Sequence, residues 1–245
     1  MKHREYKRIV AGAEKAVLFI HGIISTPNHF RDFVALVPDN MSVFNLLLDG
    51  HGKAVNDFAR SSMKKWEAQV TSAVNELSEN HEKIYIVAHS MGTLLAIDQA
   101  LSNKKVAKMF FLSVPIKIFI KHPLISNTLK VFFDKIRPDD EIGLATKNCY
   151  GITVEKNILS YIGWIPRYAE LIDKIHHIPE KIPLIQIPCY AYQSSNDEIV
   201  STSTNKCLKK NDHIRVKELK NSGHHYYQKD DYSYLLCEFN KFINN

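Results

Sequence analysis

The chain has 245 residues, of which 45% are hydrophobic and 24% are charged, and its formal net charge is +6 at pH 7. These proportions are ordinary for a globular protein, and the length suits one large α/β domain or two small ones. No apolar stretch approaches the roughly 20 residues that a membrane-spanning helix needs, and the lysines are scattered among acidic residues rather than clustered with aromatic ones. The composition therefore argues against an integral membrane segment and against a nucleic-acid partner.

Two further features bear on compartment and cofactors. The basic stretch 1–8 is followed by only a short apolar run, so no signal peptide is predicted and we expect a cytoplasmic protein. Cys149, Cys189, Cys207 and Cys237 lie far apart, without the paired spacing of a zinc or redox motif. We expect buried free thiols and no cofactor, and the sequence leaves the oligomeric state open.

Strands and helices alternate through the first third of the chain. Residues 5–12 are compatible with an edge strand, and the continuous apolar run at 16–20 is typical of a central parallel strand buried on both faces. A helix follows, with Pro27 near its first position. Residues 41–48 predict the next strand, and apolar residues at helical spacing predict a helix from about 64 to 80.

The most informative stretch is the strand at 83–89, which leads through the turn 88–92 into a helix that ends near residue 103. This context is that of a nucleophile elbow, in which a serine occupies a strained corner at the carboxyl end of a strand. The positions two before and two after Ser90 must be small, because strand and helix pass closely there, and Ala88 and Gly92 meet that requirement. A serine that merely caps the helix is the alternative.

The alternation stops after a further predicted strand at 106–114. Residues 117–181 have helical periodicity and are punctuated by prolines. We interpret this segment as an inserted helical cap on an α/β core formed by residues 1–116 and 182–245.

Strand character then returns at 184–193 and 214–219, with a predicted helix at 201–210 between them and a closing helix at the end of the chain. Strands that alternate with helices in this way predict an α/β fold with a mostly parallel, doubly wound sheet. Functional sites in such a sheet lie at the carboxyl ends of the strands.

Three predicted strands end beside residues that suit acyl transfer, namely Ser90, Asp197 and His224. The order nucleophile, acid, base along the chain is the one that triads follow in this kind of sheet. A serine hydroxyl needs a neighbouring base to remove its proton, and imidazole, with an ordinary pKa of about 6.5, suits that role. Glu198 and His225 are the neighbouring alternatives for the acid and the base.

Several motifs together make the chain resemble the α/β-hydrolase superfamily. They are His21-Gly22 after a strand, Gly50-His51-Gly52, Trp66 in its helix, the turn 88–92, Asp197 to Val200, and Ser222-Gly223-His224. Within the superfamily, the chain is most similar to bacterial carboxylesterases and monoacylglycerol-lipase-like serine hydrolases. The resemblance implies a catalytic triad of Ser90, Asp197 and His224, and it favours His224 over His225 because the family's base directly follows the glycine. It also implies that the backbone N–H groups of Ile23 and Met91 form the oxyanion hole.

The expected function is therefore that of a serine carboxylesterase that cleaves short- to medium-chain acyl esters through an acyl-enzyme. Aromatic cap residues are expected to supply an apolar wall for the acyl chain, with packing of the cap onto the core as the alternative for each: Phe132, Phe133, Tyr161 and Trp164. The same triad would serve a monoacylglycerol or lysophospholipid lipase or an acyl thioesterase. A carbon–carbon bond hydrolase and a non-catalytic binding protein on the same scaffold are further alternatives.

A metal site is not expected from the sequence. His21, His51 and His89 follow strands, but no carboxylate–histidine spacing accompanies them. The resemblance implies that their family equivalents are structural or act indirectly on the site. Asp49, which precedes Gly50-His51-Gly52, is interpreted as a turn former.

Overall fold

The computed structural model describes residues 3–245 of the chain. Its strands are β1 (Tyr6–Arg8), β2 (Lys15–Ile20), β3 (Ser42–Leu46), β4 (Lys53–Ala54), β5 (Lys83–His89), β6 (Val106–Leu112), β7 (Ile152–Thr153), β8 (Cys189–Ser194) and β9 (Ile214–Leu219). Its α-helices are α1 (Arg31–Ala35), α2 (Val55–Ala59), α3 (Met63–Asn80), α4 (Met91–Ser102), α5 (His122–Phe132), α6 (Glu141–Cys149), α7 (Ile165–Lys181), α8 (Thr204–Leu208) and α9 (Lys229–Asn244). Short 3₁₀ helices cover Pro27–Phe30, Ile158–Trp164 and Ile182–Leu184.

The main sheet has the strand order β1-β3-β2-β5-β6-β8-β9. β1 runs antiparallel to β3, and the other neighbouring strands are parallel. The predicted mostly parallel, doubly wound sheet is thereby confirmed. The order reverses between β2 and β5, which pair with Ile20 opposite Ala88. The loops that follow these two strands therefore meet at the switch point where sheets of this kind bind ligands.

Alternating side chains on each strand enter two separate cores, one on each face of the sheet. On β2, Leu18 and Ile20 face the core that contains Trp66 of α3, whereas Phe19 faces the core that contains Phe239 of α9. Because helices cover both faces of the sheet, both sets of alternating side chains are apolar. The central strands therefore appear in the sequence as continuous apolar runs. Within residues 3–245, no helix combines the length and the apolar character needed to cross a membrane.

The cap segment is attached to the core through several contacts. Trp164, which is 7% exposed, packs on Phe58 with ring centroids 4.8 Å apart, and its indole N–H donates to the carbonyl oxygen of Val55 at 3.1 Å. On α7, Lys174 and Lys181 both pair with Asp98 of α4. The two-residue strand β7 pairs with β4. The segment predicted as a helical cap thus also contains a strand that pairs with the core.

Some predicted boundaries were wrong. The strand predicted from residue 184 begins only at Cys189, because Pro183 and Pro188 have no backbone N–H to donate to a sheet. The helix predicted at 201–210 is limited to α8. The four cysteines are free thiols, but burial holds only for Cys189, and Cys237 is exposed on α9.

Candidate active site

Ser90 occupies a sharp corner between β5 and α4. Its φ of 51° is rare for a residue with a side chain, and such strain costs about 1–3 kcal/mol and is concentrated at functional sites. The corner is held by hydrogen bonds from the Ser90 N–H to the Leu112 carbonyl at 2.9 Å and from the Thr93 hydroxyl to the Ser90 carbonyl at 2.7 Å. The Ser90 side chain makes no capping hydrogen bond to α4, so the alternative of a simple helix cap does not describe it.

Gly92 allows this corner to pack against β2. A Cβ atom at position 92 would lie 2.2 Å from the carbonyl oxygen of Ile20 and 2.8 Å from that of His21. Both obstacles are backbone atoms, which cannot move aside as a flexible side chain does. Ala88, at the other position that must be small, is fully buried.

The structure brings together the three residues that the strand ends predicted. The Ser90 Oγ lies 3.1 Å from the His224 Nε2, and the His224 Nδ1–H donates to the Asp197 carboxylate at 2.9 and 3.0 Å. The Asp197 Oδ1 also accepts the N–H groups of Ile199 and Val200, each at 2.8 Å. All three members of this series are buried, and Ser90 keeps 6% of its surface exposed.

Burial and charge act in opposite directions on the two ionisable members. Burial alone would raise the pKa of Asp197, but His224 and the two backbone N–H donors hold that pKa below its usual value. Burial alone would lower the pKa of His224, but the Asp197 carboxylate raises it above its usual value. The arrangement thus favours an ionised Asp197 and stabilises positive charge on the ring of His224.

Glu198 and His225, the alternatives for the acid and the base, do not occupy the positions of Asp197 and His224. Glu198 accepts the backbone N–H of His224 at 2.8 Å, and its carboxylate is not the one that bonds the ring. The ring of His225 lies against that of His89, with centroids 5.3 Å apart, whereas the ring that faces Ser90 belongs to His224.

The loop after β2 lies directly beside Ser90. A Cβ atom at Gly22 would come within 2.9 Å of the Ser90 Cβ, so this loop approaches the serine closely. Ile23 follows in that loop, and Met91 is the first residue of α4, where helix N–H groups lack intrahelical acceptors.

His21 and His51 hold the backbone around this loop. The His21 Nε2 accepts the Leu48 N–H at 3.1 Å, so its Nδ1 carries the proton and donates to the Gly22 carbonyl at 2.8 Å. The His51 Nε2 accepts the N–H of Ile24, whose φ is 49°, at 3.1 Å. Both ring nitrogens of His21 are occupied, which leaves no lone pair for a metal.

Two features of the site were missed by the sequence analysis. Gly151, in the cap, donates its N–H to the Ile24 carbonyl at 2.7 Å and accepts the Gly52 N–H at 2.6 Å. A glycine within a helical segment gives no sequence signal of such a contact. The second feature is a group of three histidine rings, because His29 stacks on His89 with centroids 4.1 Å apart and His225 lies beside them.

The aromatic cap residues expected to form an acyl wall have different surroundings. Trp164 packs on the core, as described above, and Phe133 is 55% exposed. Phe132 and Tyr161 face each other with ring centroids 6.2 Å apart. Trp164 therefore anchors the cap, which is the packing role that the sequence analysis gave as the alternative.

Comparisons with known proteins agree with this architecture. A family model described as serine aminopeptidase, S33, matches residues 11–227. A thermostable monoacylglycerol lipase from Bacillus sp. (strain H-257) is 27% identical over 133 residues, which are 54% of this chain and 52% of that protein. The chain thus aligns with about half the length of this curated relative.

Two solved structures superpose over nearly the whole chain. One, reported for the metagenome-derived lipolytic enzymes LipS and LipT, has a TM-score of 0.72 and 17% identity, and covers 99% of this chain and 97% of that one. The other, a monoacylglycerol lipase from Paleococcus ferrophilus, has a TM-score of 0.70 and 14% identity, and covers 99% of both chains. At these identities the similarity establishes the fold.

Proposed function

Because this chain belongs to the serine aminopeptidase S33 family of α/β-hydrolases, we propose that it is a carboxylesterase that cleaves short- to medium-chain acyl esters with Ser90, His224 and Asp197. The observation that carries the proposal is the hydrogen-bonded series from the Ser90 hydroxyl through the His224 ring to the Asp197 carboxylate. The strained corner at Ser90 supports it, since the corner turns the hydroxyl toward the ring.

In this mechanism the Ser90 Oγ attacks the ester carbonyl carbon while the His224 Nε2 takes the hydroxyl proton. The ring then gives that proton to the departing alkoxide, and the carbon–oxygen bond to the alcohol breaks, which leaves an acyl-enzyme. Water attacks the acyl carbon in the second half, passes a proton to Nε2, and the proton returns to the Ser90 Oγ as the acid leaves. Asp197 fixes the tautomer and stabilises the imidazolium without taking the proton.

The negative charge that develops on the carbonyl oxygen requires preorganised donors. We assign this role to the backbone N–H groups of Ile23 and Met91, each worth about 3 kcal/mol of barrier lowering. The position of Met91 at the amino end of α4 and the close approach of Gly22 to Ser90 support the assignment. The side chains at 23 and 91 are free to be apolar, because the donors belong to the backbone.

A monoacylglycerol lipase activity is the second candidate, and the specific observation in its favour is the 27% identity to the Bacillus enzyme. The triad is the same, so the two candidates differ only in the alcohol that leaves. A lysophospholipase and a thioesterase share the machinery as well.

The test begins with fluorophosphonate labelling of the purified protein. We expect one labelled site in the wild type and none in Ser90→Ala, with the labelled peptide identified by mass spectrometry. Ser113→Ala is a matched control, because Ser113 is also buried, directly follows β6, the next strand of the sheet, and has a φ of 54°. Labelling that survives in Ser90→Ala, or that is lost in Ser113→Ala alone, would contradict the assignment. An unlabelled, folded wild type would favour a binding protein.

The substrate class is then resolved with a panel of p-nitrophenyl esters of increasing chain length, monoacylglycerols, a lysophospholipid, acyl-CoA and an aminoacyl anilide. Turnover of the simple esters at a kcat/KM above that for the other classes is the expected result. Preferential cleavage of monoacylglycerols would establish the second candidate. Cleavage of acyl-CoA alone would exclude the ester proposal and leave the triad intact.

A further inference from the structure

Three histidine side chains form a cluster that the proposed mechanism does not use. His29 belongs to the 3₁₀ helix after β2, His89 is the last residue of β5, and His225 lies in the loop after β9. One ring nitrogen of each lies within 4.8 Å of the other two. The rings of His29 and His89 stack on each other, and the ring of His225 lies beside both, with its centroid 6.1 Å from that of His29 and 5.3 Å from that of His89. The cluster joins three of the segments that build the proposed active site.

The hydrogen bonds of His89 show which of its ring nitrogens carries a lone pair that is free to accept a bond. The fully buried His89 donates its Nε2–H to the carbonyl oxygen of His224 at 3.0 Å, so Nε2 carries the proton and Nδ1 carries a lone pair. Within the described part of the chain, Nδ1 of His89 has no hydrogen-bond partner, and the buried Nδ1 of His225 has none either. A buried polar atom without a hydrogen-bond partner destabilises the folded protein, so two in one cluster call for an explanation.

His29 adds a third nitrogen with only long contacts. Its Nε2 lies 3.4 Å from the Tyr227 hydroxyl, and its Nδ1 lies 3.5 Å from the Cys149 Sγ. The contact with Tyr227 is longer than a strong hydrogen bond, and the thiol of Cys149 is a weak donor, so a better partner displaces either one. Burial also lowers the pKa of His29 to about 3, and it lowers the pKa values of His89 and His225 well below the usual value. Imidazole binds metals in this neutral form.

We propose that His29, His89 and His225 form a binding site for a divalent transition-metal ion such as Zn²⁺. Three imidazole nitrogens at about 2.0–2.1 Å from a tetrahedral Zn²⁺ are separated from one another by about 3.4 Å. The three nitrogens must therefore approach one another by up to about 1.4 Å, and the stacked rings of His29 and His89 must turn so that both lone pairs point at the ion. The hydrogen bond from His89 to the His224 carbonyl is the kind of outer contact that fixes the tautomer of a metal-binding histidine.

The chemistry of the ligands defines the class of ion. Imidazole nitrogens suit Zn²⁺, Cu²⁺, Ni²⁺ and Co²⁺, whereas Mg²⁺ and Ca²⁺ prefer oxygen ligands. Asp197 lies close enough to act on the charge of His225, and it offsets part of the charge of a bound dication. Its carboxylate is already held by His224 and two backbone donors, so the three histidines are the ligands.

A bound ion would act on the proposed triad, and this consequence rests on the proposed function. The ring of His224 lies with its centroid 4.8 Å from that of His89 and 4.7 Å from that of His225. An ion that draws His89 and His225 together also shifts the ring of His224, which contacts both, and so disturbs its hydrogen bond with Ser90. We therefore expect Zn²⁺ to inhibit hydrolysis reversibly.

The test measures binding separately from catalysis. Co²⁺ alone is titrated into chelator-treated wild type and Ser90→Ala while its visible d–d absorption is recorded, and Zn²⁺ binding is measured by calorimetry. We expect one equivalent to bind to both proteins, and affinity to fall by more than about tenfold in His29→Asn and in His225→Gln. His177→Ala, at an exposed histidine of α7, should bind as the wild type does, and Mg²⁺ should not compete.

The outcomes separate this inference from the proposed function. Affinity that is unchanged in both cluster variants, or that is lost in His177→Ala, would overturn the site as a cluster of these three histidines. The two cluster variants are independent substitutions on different loops, and circular dichroism of each reports whether it folds. A protein without esterase activity that still binds Co²⁺ through His29 and His225 would refute the proposed function and leave the metal site standing. In an active enzyme, Zn²⁺ inhibition that EDTA reverses and that is absent from His29→Asn is the expected result.

Discussion

The carboxylate of Glu198 accepts the backbone N–H of His224 at 2.8 Å, so this side chain holds the main chain of the histidine that faces Ser90. Its neighbour Asp197 holds the ring of the same histidine instead. Gly223 makes the arrangement possible, since a Cβ atom there would lie 2.9 Å from the Glu198 carboxylate oxygens. Two adjacent acids thus fix different parts of one residue.

Because Asp197 holds the ring of His224 and Glu198 holds its main chain, we expect the amide substitutions of these two acids to have unequal effects. Asp197→Asn should lower kcat by about 10³–10⁴-fold, because an amide neither stabilises the imidazolium nor selects the right tautomer. Glu198→Gln keeps an oxygen that accepts the His224 N–H, so we expect a loss of less than about tenfold. Steady-state kinetics on a p-nitrophenyl ester checks both values. A loss in Glu198→Gln as large as that in Asp197→Asn would contradict this division and mean that the charge of Glu198 matters to the reaction as much as that of Asp197.

Gly151 offers a second prediction, because it connects the cap to the loop that carries Ile23. A Cβ atom at 151 would lie 2.3 Å from the Ser25 carbonyl oxygen, so Gly151→Ala must displace that loop. Since misplacement of a reacting group by about 1 Å costs about 10²-fold, we expect a fall in kcat of about 10–100-fold with little change in KM.

Gly163→Ala is the control for Gly151→Ala. Gly163 also belongs to the cap, and its added Cβ would meet the Ala59 side chain at 2.7 Å, far along the chain from the loop that carries Ile23. This variant should lower the melting temperature while kcat stays within about twofold of the wild type, because it disturbs packing without moving a donor. Equal losses of kcat in the two variants would mean that the contact of Gly151 with the loop has no special role.

The sequence predicted the fold and the group of three residues at the strand ends for a physical reason. The central strands are buried on both faces, so their apolar runs are continuous, and Ser90 follows such a run. Asp197 follows β8, and His224 follows β9, an edge strand whose residues alternate between buried and exposed. The strand end also fixes where each side chain lies, because parallel strands place their carboxyl ends at one edge.

The histidine cluster and the contact of Gly151 depend on how loops fold back over that edge. His29 follows a helix start that reads as an ordinary connection, and its stacking on His89 requires the loop geometry itself. The start of β8 was misplaced because Leu184, Ile185 and Ile187 match a strand pattern. The flanking residues Pro183 and Pro188 have no backbone N–H to donate to a sheet.

Gly92 provides a prediction about stability. Gly92→Ala places a Cβ atom 2.2 Å from a backbone oxygen of β2, so it should lower the free energy of unfolding by about 3 kcal/mol or more. Ala88→Gly, which restores the more usual residue at the other small position, should cost only about 0.5–1 kcal/mol through added freedom of the unfolded chain. Urea unfolding followed by circular dichroism measures both. Similar values for the two variants would show that the elbow tolerates movement of α4 away from β2.

The attachment of α7 to α4 gives the last prediction. Lys174, whose side chain is 11% exposed, pairs with Asp98 and Glu67, and Lys181 pairs with Asp98 as well. Burial alone would lower the pKa of Lys174, but the two carboxylates raise it, so the ammonium form is favoured where it lies. Asp98→Asn removes one partner of each lysine and should lower the free energy of unfolding by about 1–2 kcal/mol, less than for a fully buried pair.

A double-mutant cycle with Lys174→Met isolates the Asp98–Lys174 pair, because the cycle cancels effects that each substitution has alone. We expect the double variant to be more stable than the sum of the two single losses predicts. The reason is that Asp98→Asn leaves the ammonium of Lys174 with fewer partners, and Lys174→Met removes that charge. Glu14→Gln, in an exposed pair with Lys83, is the control and should leave the unfolding midpoint unchanged. Strict additivity in the cycle would mean that the Asp98–Lys174 pair does not help to hold α7 to α4, and that the other contacts of the cap, such as that of Trp164 with Phe58, attach it without this pair.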